Sequence, residues 1–333
     1  MSRYGATITG VGAYVPERRL TNAELEQLVE TNDEWIVTRT GIRERRVVDP
    51  AEGSSHLATR AAREALADAG VEPGDIDLII VATTTPDLAF PGVACLVQGA
   101  LGASKANVFD VNAVCSGFLS ALVTGAQFVQ SGVYRHALII GAETLTRLVD
   151  YRDRNTCILF GDGAGAVVLS RTSADHGMLD FTLQADGTQA GLAYCPRPES
   201  PAGTLAAIGA GDAPYIWQNG KAIFKVAVNS MEESVRTLLE RQGGTTADLR
   251  VLVPHQANER IMTVLAERLS IPASRVANCI AEYGNTSAAT IPLALHKWVR
   301  TQGLEEGDLV MMCAFAGGLH WGAALLRWGG PRL

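Results

Sequence analysis

The chain has 333 residues, 47% of them hydrophobic and 19% charged, with a net charge of −7 at pH 7. That length and apolar content point to two domains, or to one fold with two halves, and the acidic balance, with no basic run or basic-aromatic stripe, argues against a nucleic-acid footprint. The first twenty residues lack the apolar core of a signal peptide and no run approaches the roughly 18 apolar residues of a membrane span, so the expectation is a soluble, cytoplasmic protein.

In chain order, Thr21-x-x-Glu24 reads as a capping box that opens a helix. His56–Gly70 places Leu57, Ala61, Ala65 and Leu66 on one helical face. Apolar runs at 77–85, 107–113, 136–143 and 163–170 read as strands. GDGAG (161–165) lacks the spacing of a nucleotide-binding loop and reads as a tight packing turn. A turn at Ser173–Gly177 follows. Residues 196–214, rich in Pro, Gly and Ala and without either period, read as a long surface loop of the kind that often carries function. Ser230-x-x-Glu233 is a second capping box, and Ser230–Gln242 sets Met231, Val235, Leu238 and Leu239 on one face. Further strands are expected at 249–256, 275–282, 309–316 and 320–328. The steps from Val81 to Asp110 to Ile140 match those from Val253 to Ile280 to Met311, at roughly the 30-residue spacing of a βαβ unit. The pattern predicts an α/β protein of two similar halves, 1–172 and 173–333.

In such folds ligands gather at the carboxyl ends of parallel strands. Of the six cysteines, Cys95, Cys115, Cys157, Cys195, Cys279 and Cys313, most read as small buried hydrophobes, and none has zinc-ligand spacing. Cys115 differs, because it follows the run NVFDVNAV and precedes a helix start. A thiol there sees unsatisfied N–H groups, which favour the thiolate. His255 ends the strand VLVPH, and Asn285 follows the strand expected at 275–282. Taken singly, a cysteine is a core residue, a histidine after proline satisfies a backbone carbonyl, and an asparagine in Gly284-Asn285-Thr286-Ser287 is a turn residue or helix cap. Their shared placement at strand ends points to a Cys-His-Asn site.

The chain closely resembles the β-ketoacyl-acyl-carrier-protein synthase III family, nearly end to end. The resemblance is carried by NDEWIVTRTGIRERR (32–46), FDVNAVCSGF (109–118), FGDGAGAVVL (160–169), VPHQANERI (253–261), EYGNTSAATIP (282–292) and AFAGGLHWGAALLRW (314–328). It implies a five-layered αβαβα thiolase fold, a homodimer, and ping-pong condensation of an acyl-CoA primer with malonyl-acyl-carrier protein, with no metal and no cofactor beyond the coenzyme A thioester substrate. By the same resemblance Cys115 is the nucleophile, His255 and Asn285 its partners, and the N–H groups of Cys115 and Gly317 the oxyanion hole. Trp35 and Arg154 resemble the pair that sandwiches the adenine, with Thr31 and Arg39 near the nucleotide and Gly220 and Asn258 against the pantetheine. Phe90 resembles the residue one subunit lends to its partner's acyl pocket, lined also by Phe160, Gln218 and Phe315; Lys225 and Arg260 resemble the carrier-protein docking patch. Ala316 departs from a three-glycine run, His320 from a small hydroxyl residue, Gln218 from an apolar one and Glu267 from a basic one. The alternatives are a non-decarboxylating acyltransferase and a condensing enzyme of a secondary-metabolite pathway.

Overall fold

A computed structural model describes residues 4–330. In chain order its principal elements are β1 (Gly5–Tyr14), α1 (Asp33–Thr40), α2 (Ser54–Ala69), β2 (Leu78–Ala82), α3 (Val93–Leu101), β3 (Asn107–Val111), α4 (Gly117–Gln130), β4 (His136–Thr144), β5 (Asp162–Thr172), β6 (Gly177–Ala185), α5 (Gly220–Arg241), β7 (Leu249–Pro254), α6 (Glu259–Arg268), α7 (Thr290–Thr301), β8 (Leu309–Ala316) and β9 (His320–Arg327). All five residues of β2 are buried apolar side chains, the unalternating pattern of a strand covered on both faces. Thr21 caps its short helix as a capping box. α2 buries the expected Leu57, Ala61, Ala65 and Leu66 and ends on left-handed Gly70.

The strands run in the order β7-β8-β9-β6-β1-β5-β4-β2-β3. β2 is parallel to β3 and β4, and β5 is antiparallel to β4 and β1. Across the centre β7 is parallel to β8, and β9 is antiparallel to β8 and β6. The same pairing pattern is thus written twice, and the two runs meet only through the parallel pair Ala6 and Gly177. α2 and α3 cover the first half-sheet, and α5 and α6 the second. α4 and α7 share one apolar cluster with strands of both halves. These are the five layers αβαβα.

Three local expectations are corrected. Residues 275–282 are not a strand: Val276 alone bridges to Leu252 before a short helix, Ile280–Tyr283, starts. Ser230 opens no helix, because α5 begins ten residues earlier with Asn219 accepting from Ala222 N–H. GDGAG is not a turn; Asp162 starts β5, and the missing side chain of Gly165 admits α7, since a Cβ there would stand 2.7 Å from Pro292 Cβ. The 196–214 segment is exposed as expected but contains one short helix, Ala202–Ala207.

A Cβ at Gly12 would collide with Ala61 O and Ala65 N of α2, backbone atoms that cannot swing aside. Gly12→Ala should therefore lower stability by about 1–3 kcal/mol, read as a reduced urea midpoint; an unchanged midpoint would show that α2 is free to move off β1.

Candidate active site

β3 ends at Val111, and the chain must turn sharply to start α4 at Gly117. It turns through Val114–Ser116, with Val114 at φ 49°. A β-branched residue in the left-handed region carries strain of about 1–3 kcal/mol. Ser116 holds the turn by donating its N–H and its hydroxyl to Ala113 O at 3.1 and 2.8 Å. Cys115 is thereby set at the head of α4.

The residue keeps some accessible surface, but its sulfur is enclosed. Burial pushes the thiol up to about 12, opposed by the Ser287 hydroxyl and reinforced by the Glu143 carboxylate. This reverses the expected direction. A helix terminus contributes about 0.3–1 kcal/mol, up to about 2 in partly buried geometries, whereas burying an anion moves a pKa by as much as about 3–5 units. Cys115 at rest is a thiol, and its proton has to leave during attack.

His255 directly follows β7, its N–H held by Cys313 O at 2.8 Å. Its Nδ1 lies 2.7 Å from the Thr290 hydroxyl at the first residue of α7, and that hydroxyl also reaches Ser287 O at 2.8 Å. Burial lowers the imidazole pKa to about 3, so the ring is neutral at ordinary pH. Asn285 is fixed by its backbone: its N–H donates to Leu159 O at 2.8 Å, and its carbonyl accepts from Gly161 N–H at 3.1 Å. Ser287 N–H donates to Asn285 Oδ1 at 2.8 Å. A donor facing Oδ1 leaves Nδ2 as the end of the amide available to a ligand. Ser287, at φ 48°, also faces Cys115. The three expected residues therefore converge on one turn, residues 285–290.

A cleft of about 1240 Å³ is lined by Trp35, Arg39, Gln218, Gly220, Asn258 and Arg260, among others. The Arg39 and Arg154 guanidinium carbons stand 4.6 and 5.1 Å from the Trp35 ring centre. Thr31 is not among the lining residues; its hydroxyl is buried without a partner. Asn258 caps α6 through Arg260 N–H and donates to Arg39 O at 2.9 Å, so its amide ties α1 to α6. Lys225 and Arg260 are exposed, Arg260 lying 5.9 Å over Phe224. The four acyl-pocket candidates are not gathered in one place in the structure. Phe160 and Phe315 sit in different apolar clusters, Gln218 is in the cleft wall, and Phe90 is 85% exposed. Gly317 lies in the turn between β8 and β9, where Ala316 pairs with His320.

Sequence reading passed over Glu143, Ser287 and Thr290. Glu143 is fully buried near the end of β4 and accepts from Thr83, Thr84 and Thr85. An acidic residue closing the apolar run ALIIGA was its available signal; nothing local marks the other two.

The family described as 3-oxoacyl-[acyl-carrier-protein] synthase III matches residues 109–187, and its C-terminal counterpart matches 239–328. The β-ketoacyl-[acyl-carrier-protein] synthase III of Bacillus pumilus is 47% identical over 97% of this chain and 99% of its own length. The crystal structure of the 3-oxoacyl-[acyl-carrier-protein] synthase III of Aquifex aeolicus superposes with a TM-score of 0.91 at 46% identity, covering 97% of this chain and all of that one. The priming β-ketosynthase of the R1128 polyketide pathway superposes equally well, 0.91, at 36% identity, over 99% of this chain and 98% of that one.

The depressed His255 pKa makes a stability prediction. An unfolded histidine takes a proton near its ordinary 6.5, whereas the folded ring resists until about 3. The contribution is complete above 6.5 and is lost as pH falls from there toward 3. Between pH 7 and pH 5 the wild type should lose about 2 kcal/mol more than His255→Ala, measured by urea denaturation at both values. Equal losses would mean that the folded imidazole titrates normally.

Proposed function

Because the chain belongs to the β-ketoacyl-[acyl-carrier-protein] synthase III family, we infer that it joins a short acyl-CoA primer to malonyl-acyl-carrier protein by decarboxylative condensation through an acyl-Cys115 intermediate. The observation that carries this reading is the convergence of Cys115, His255 and Asn285 on the 285–290 turn, with a neutral imidazole and an outward amide N–H rather than a carboxylate.

Cys115 attacks the thioester carbonyl, and the oxyanion is held by the N–H groups of Cys115 and Gly317, which can supply several kcal/mol. Loss of CO₂ from the malonyl group then leaves an enolate. In the structure the one hydrogen of the Thr290 hydroxyl goes to Ser287 O; turned instead to His255 Nδ1, it leaves Nε2 as an N–H donor to the enolate, and Asn285 Nδ2 is the second donor. Decarboxylation generates the carbanion without a strong base, so neutral donors suffice. The carbanion attacks acyl-Cys115 and releases the β-ketoacyl product.

Coenzyme A lies in the cleft, its adenine on Trp35 and its pantetheine past Gly220 and Asn258. Arg154 has to swing aside, because at 5.1 Å no second ring fits between it and the indole. Arg39 flanks the nucleotide, Thr31 stands outside the cleft lining with its hydroxyl buried, and Lys225 and Arg260 meet the acidic carrier, with Glu267 weakening that patch. The halves 1–172 and 173–333 supply nucleophile and partners respectively. The protein acts in the cytoplasm as a homodimer, in which a second copy covers Phe90 and completes the pocket of Phe160, Gln218 and Phe315. A fatty-acid rather than polyketide role is favoured by the higher identity to fatty-acid-type relatives, 47% against 36%.

Incubation with acyl-CoA should label Cys115 alone on peptide mapping; a label on Cys157 or Cys313 would overturn the assignment. His255→Ala and Asn285→Ala should each slow CO₂ release from malonyl-carrier protein by about 10²–10³-fold and slow acylation less. Wild-type CO₂ release in both variants would overturn this role for the two donors, and a wild type that releases no CO₂ from malonyl-carrier protein would favour a non-decarboxylating acyltransferase. kcat/KM for acetyl-CoA should exceed that for octanoyl-CoA by about tenfold or more, roughly 1.4 kcal/mol; the opposite order would mean that the phenylalanines do not close the pocket.

A further inference from the structure

The acylation step needs an acceptor for the Cys115 proton, and the residues assigned so far do not provide one. His255, the obvious base, is a poor one: burial holds its pKa near 3 while burial raises that of the thiol to about 12. Behind the nucleophile lies a carboxyl that the condensation reading leaves unused. Glu143 is 0% exposed, and its two oxygens are treated unequally. Oε2 accepts from Thr85 Oγ1 at 2.8 Å, Thr84 Oγ1 at 3.0 Å, Thr84 N–H at 3.1 Å and Thr83 Oγ1 at 3.4 Å. Oε1 is buried and accepts nothing. Ser287 Oγ is likewise buried without a hydrogen bond of normal geometry, in a residue 1% exposed. That hydroxyl nevertheless lies close enough to both the Cys115 sulfur and the Glu143 carboxyl to act on the ionisation of each. Two orphaned buried oxygens therefore lie near the sulfur, neither yet hydrogen-bonded to it or to the other. The four donors crowding Oε2 leave Oε1 as the place for a proton.

We propose that Ser287 and Glu143 form a proton relay that takes the thiol hydrogen of Cys115 during acylation and returns it when the product leaves. This rests on the acyl-Cys115 reading and adds residues to it. As Sγ bonds to the thioester carbon, its hydrogen passes to Ser287 Oγ while the Ser287 hydrogen passes to Glu143 Oε1. Collapse breaks the carbon–sulfur bond to coenzyme A, which leaves as a thiolate and is protonated by solvent. In the second half-reaction the malonyl carboxylate departs as CO₂, and the carbanion displaces Cys115 as a thiolate. Glu143 then gives back its hydrogen through Ser287, so that this half-reaction draws no proton from water. Burial suits the carboxyl to this role, because it raises the Glu143 pKa toward that of its partner and so narrows the gap the proton has to cross. The Thr83–Thr85 segment is the positioning element, because its donors fix which oxygen faces Ser287.

The test uses wild type, Glu143→Gln and Ser287→Ala, each checked for folding by thermal melt. Two rates are measured: acetylation of Cys115 by acetyl-CoA, and alkylation of Cys115 by iodoacetamide, which needs no substrate site. Both variants should acetylate about 30-fold more slowly or worse, and acetylation should fall more than CO₂ release from malonyl-carrier protein. The alkylation profile separates a relay from a passive charge. With the relay, the wild-type rate is flat across about pH 6–9, because the proton only moves within the pair, and Glu143→Gln rises about tenfold per pH unit from a lower start. If Glu143 were only a buried negative charge, its removal would ease ionisation of the thiol, and Glu143→Gln would alkylate faster than wild type. That result, or wild-type acetylation in Ser287→Ala, overturns the proposal. Failure of wild type itself to acetylate would instead overturn the acyl-Cys115 reading.

Discussion

Two helices, α4 and α7, are enclosed between the half-sheets, and the rest of the architecture accommodates that burial. Both helices are buried along most of their length, with Gln127 on α4 and Arg300 and Thr301 at the end of α7 exposed, so apolar residues from strands of both halves meet them in one cluster. Close approach depends on missing side chains: Gly141 and Gly165 bring β4 and β5 against the 288–293 backbone, where any Cβ would collide. Burial also dictates where chemistry can occur. A helix shut away from water has unsatisfied N–H groups only at its start, and both central helices start at the same place. Cys115 precedes α4 by two residues, and Thr290 begins α7.

The electrostatics of the site follow from this. Without water, an unpaired charge is strongly disfavoured and a neutral dipole is tolerated: the site presents a thiol, a neutral imidazole, an amide and hydroxyls, and the Glu143 carboxylate is held by four donors on one oxygen. Such neutral groups do little for a ground state but suit charge that appears only in transit, as the oxyanion and enolate of the proposed reaction would, without reorganising. The same dryness makes the thiol hard to ionise. It gives the proposed role of the buried Glu143 carboxyl its physical basis, since among the described residues it is the charged group that acts on the thiol.

The recognition surface obeys different rules. The cleft beside Trp35 is wide and edged by exposed Arg39, Arg154 and Arg260. It suits a phosphorylated ligand that arrives and leaves in each half-reaction. Asn258 is occupied in joining α1 to α6 and capping the latter, so it shapes the cleft wall through its backbone position as much as through its amide.

The sequence by itself determined the elements whose signal is local. Leu78–Ala82 is a buried strand because every residue is apolar, and α2 is a helix because its apolar residues recur at helical spacing and Gly70 can stop it. The doubled βαβ spacing has its counterpart in the doubled strand pairing, and Cys115, His255 and Asn285, singled out at strand ends, come together on the 285–290 turn. Tertiary structure decided what depends on distant neighbours. Residues 275–282 have strand-like composition but lie where only Val276 can reach Leu252, and Ser230 cannot cap because its chain is already helical. The direction of the Cys115 pKa was illegible for the same reason: a helix start is a local feature, whereas the sulfur is enclosed by distant chain, with Ser287 of the 285–290 turn and Glu143 of β4 beside it, 28 or more residues away in sequence. Capping and periodicity act over three or four residues. Desolvation and proton transfer act through space, and only the folded chain fixes who stands beside whom.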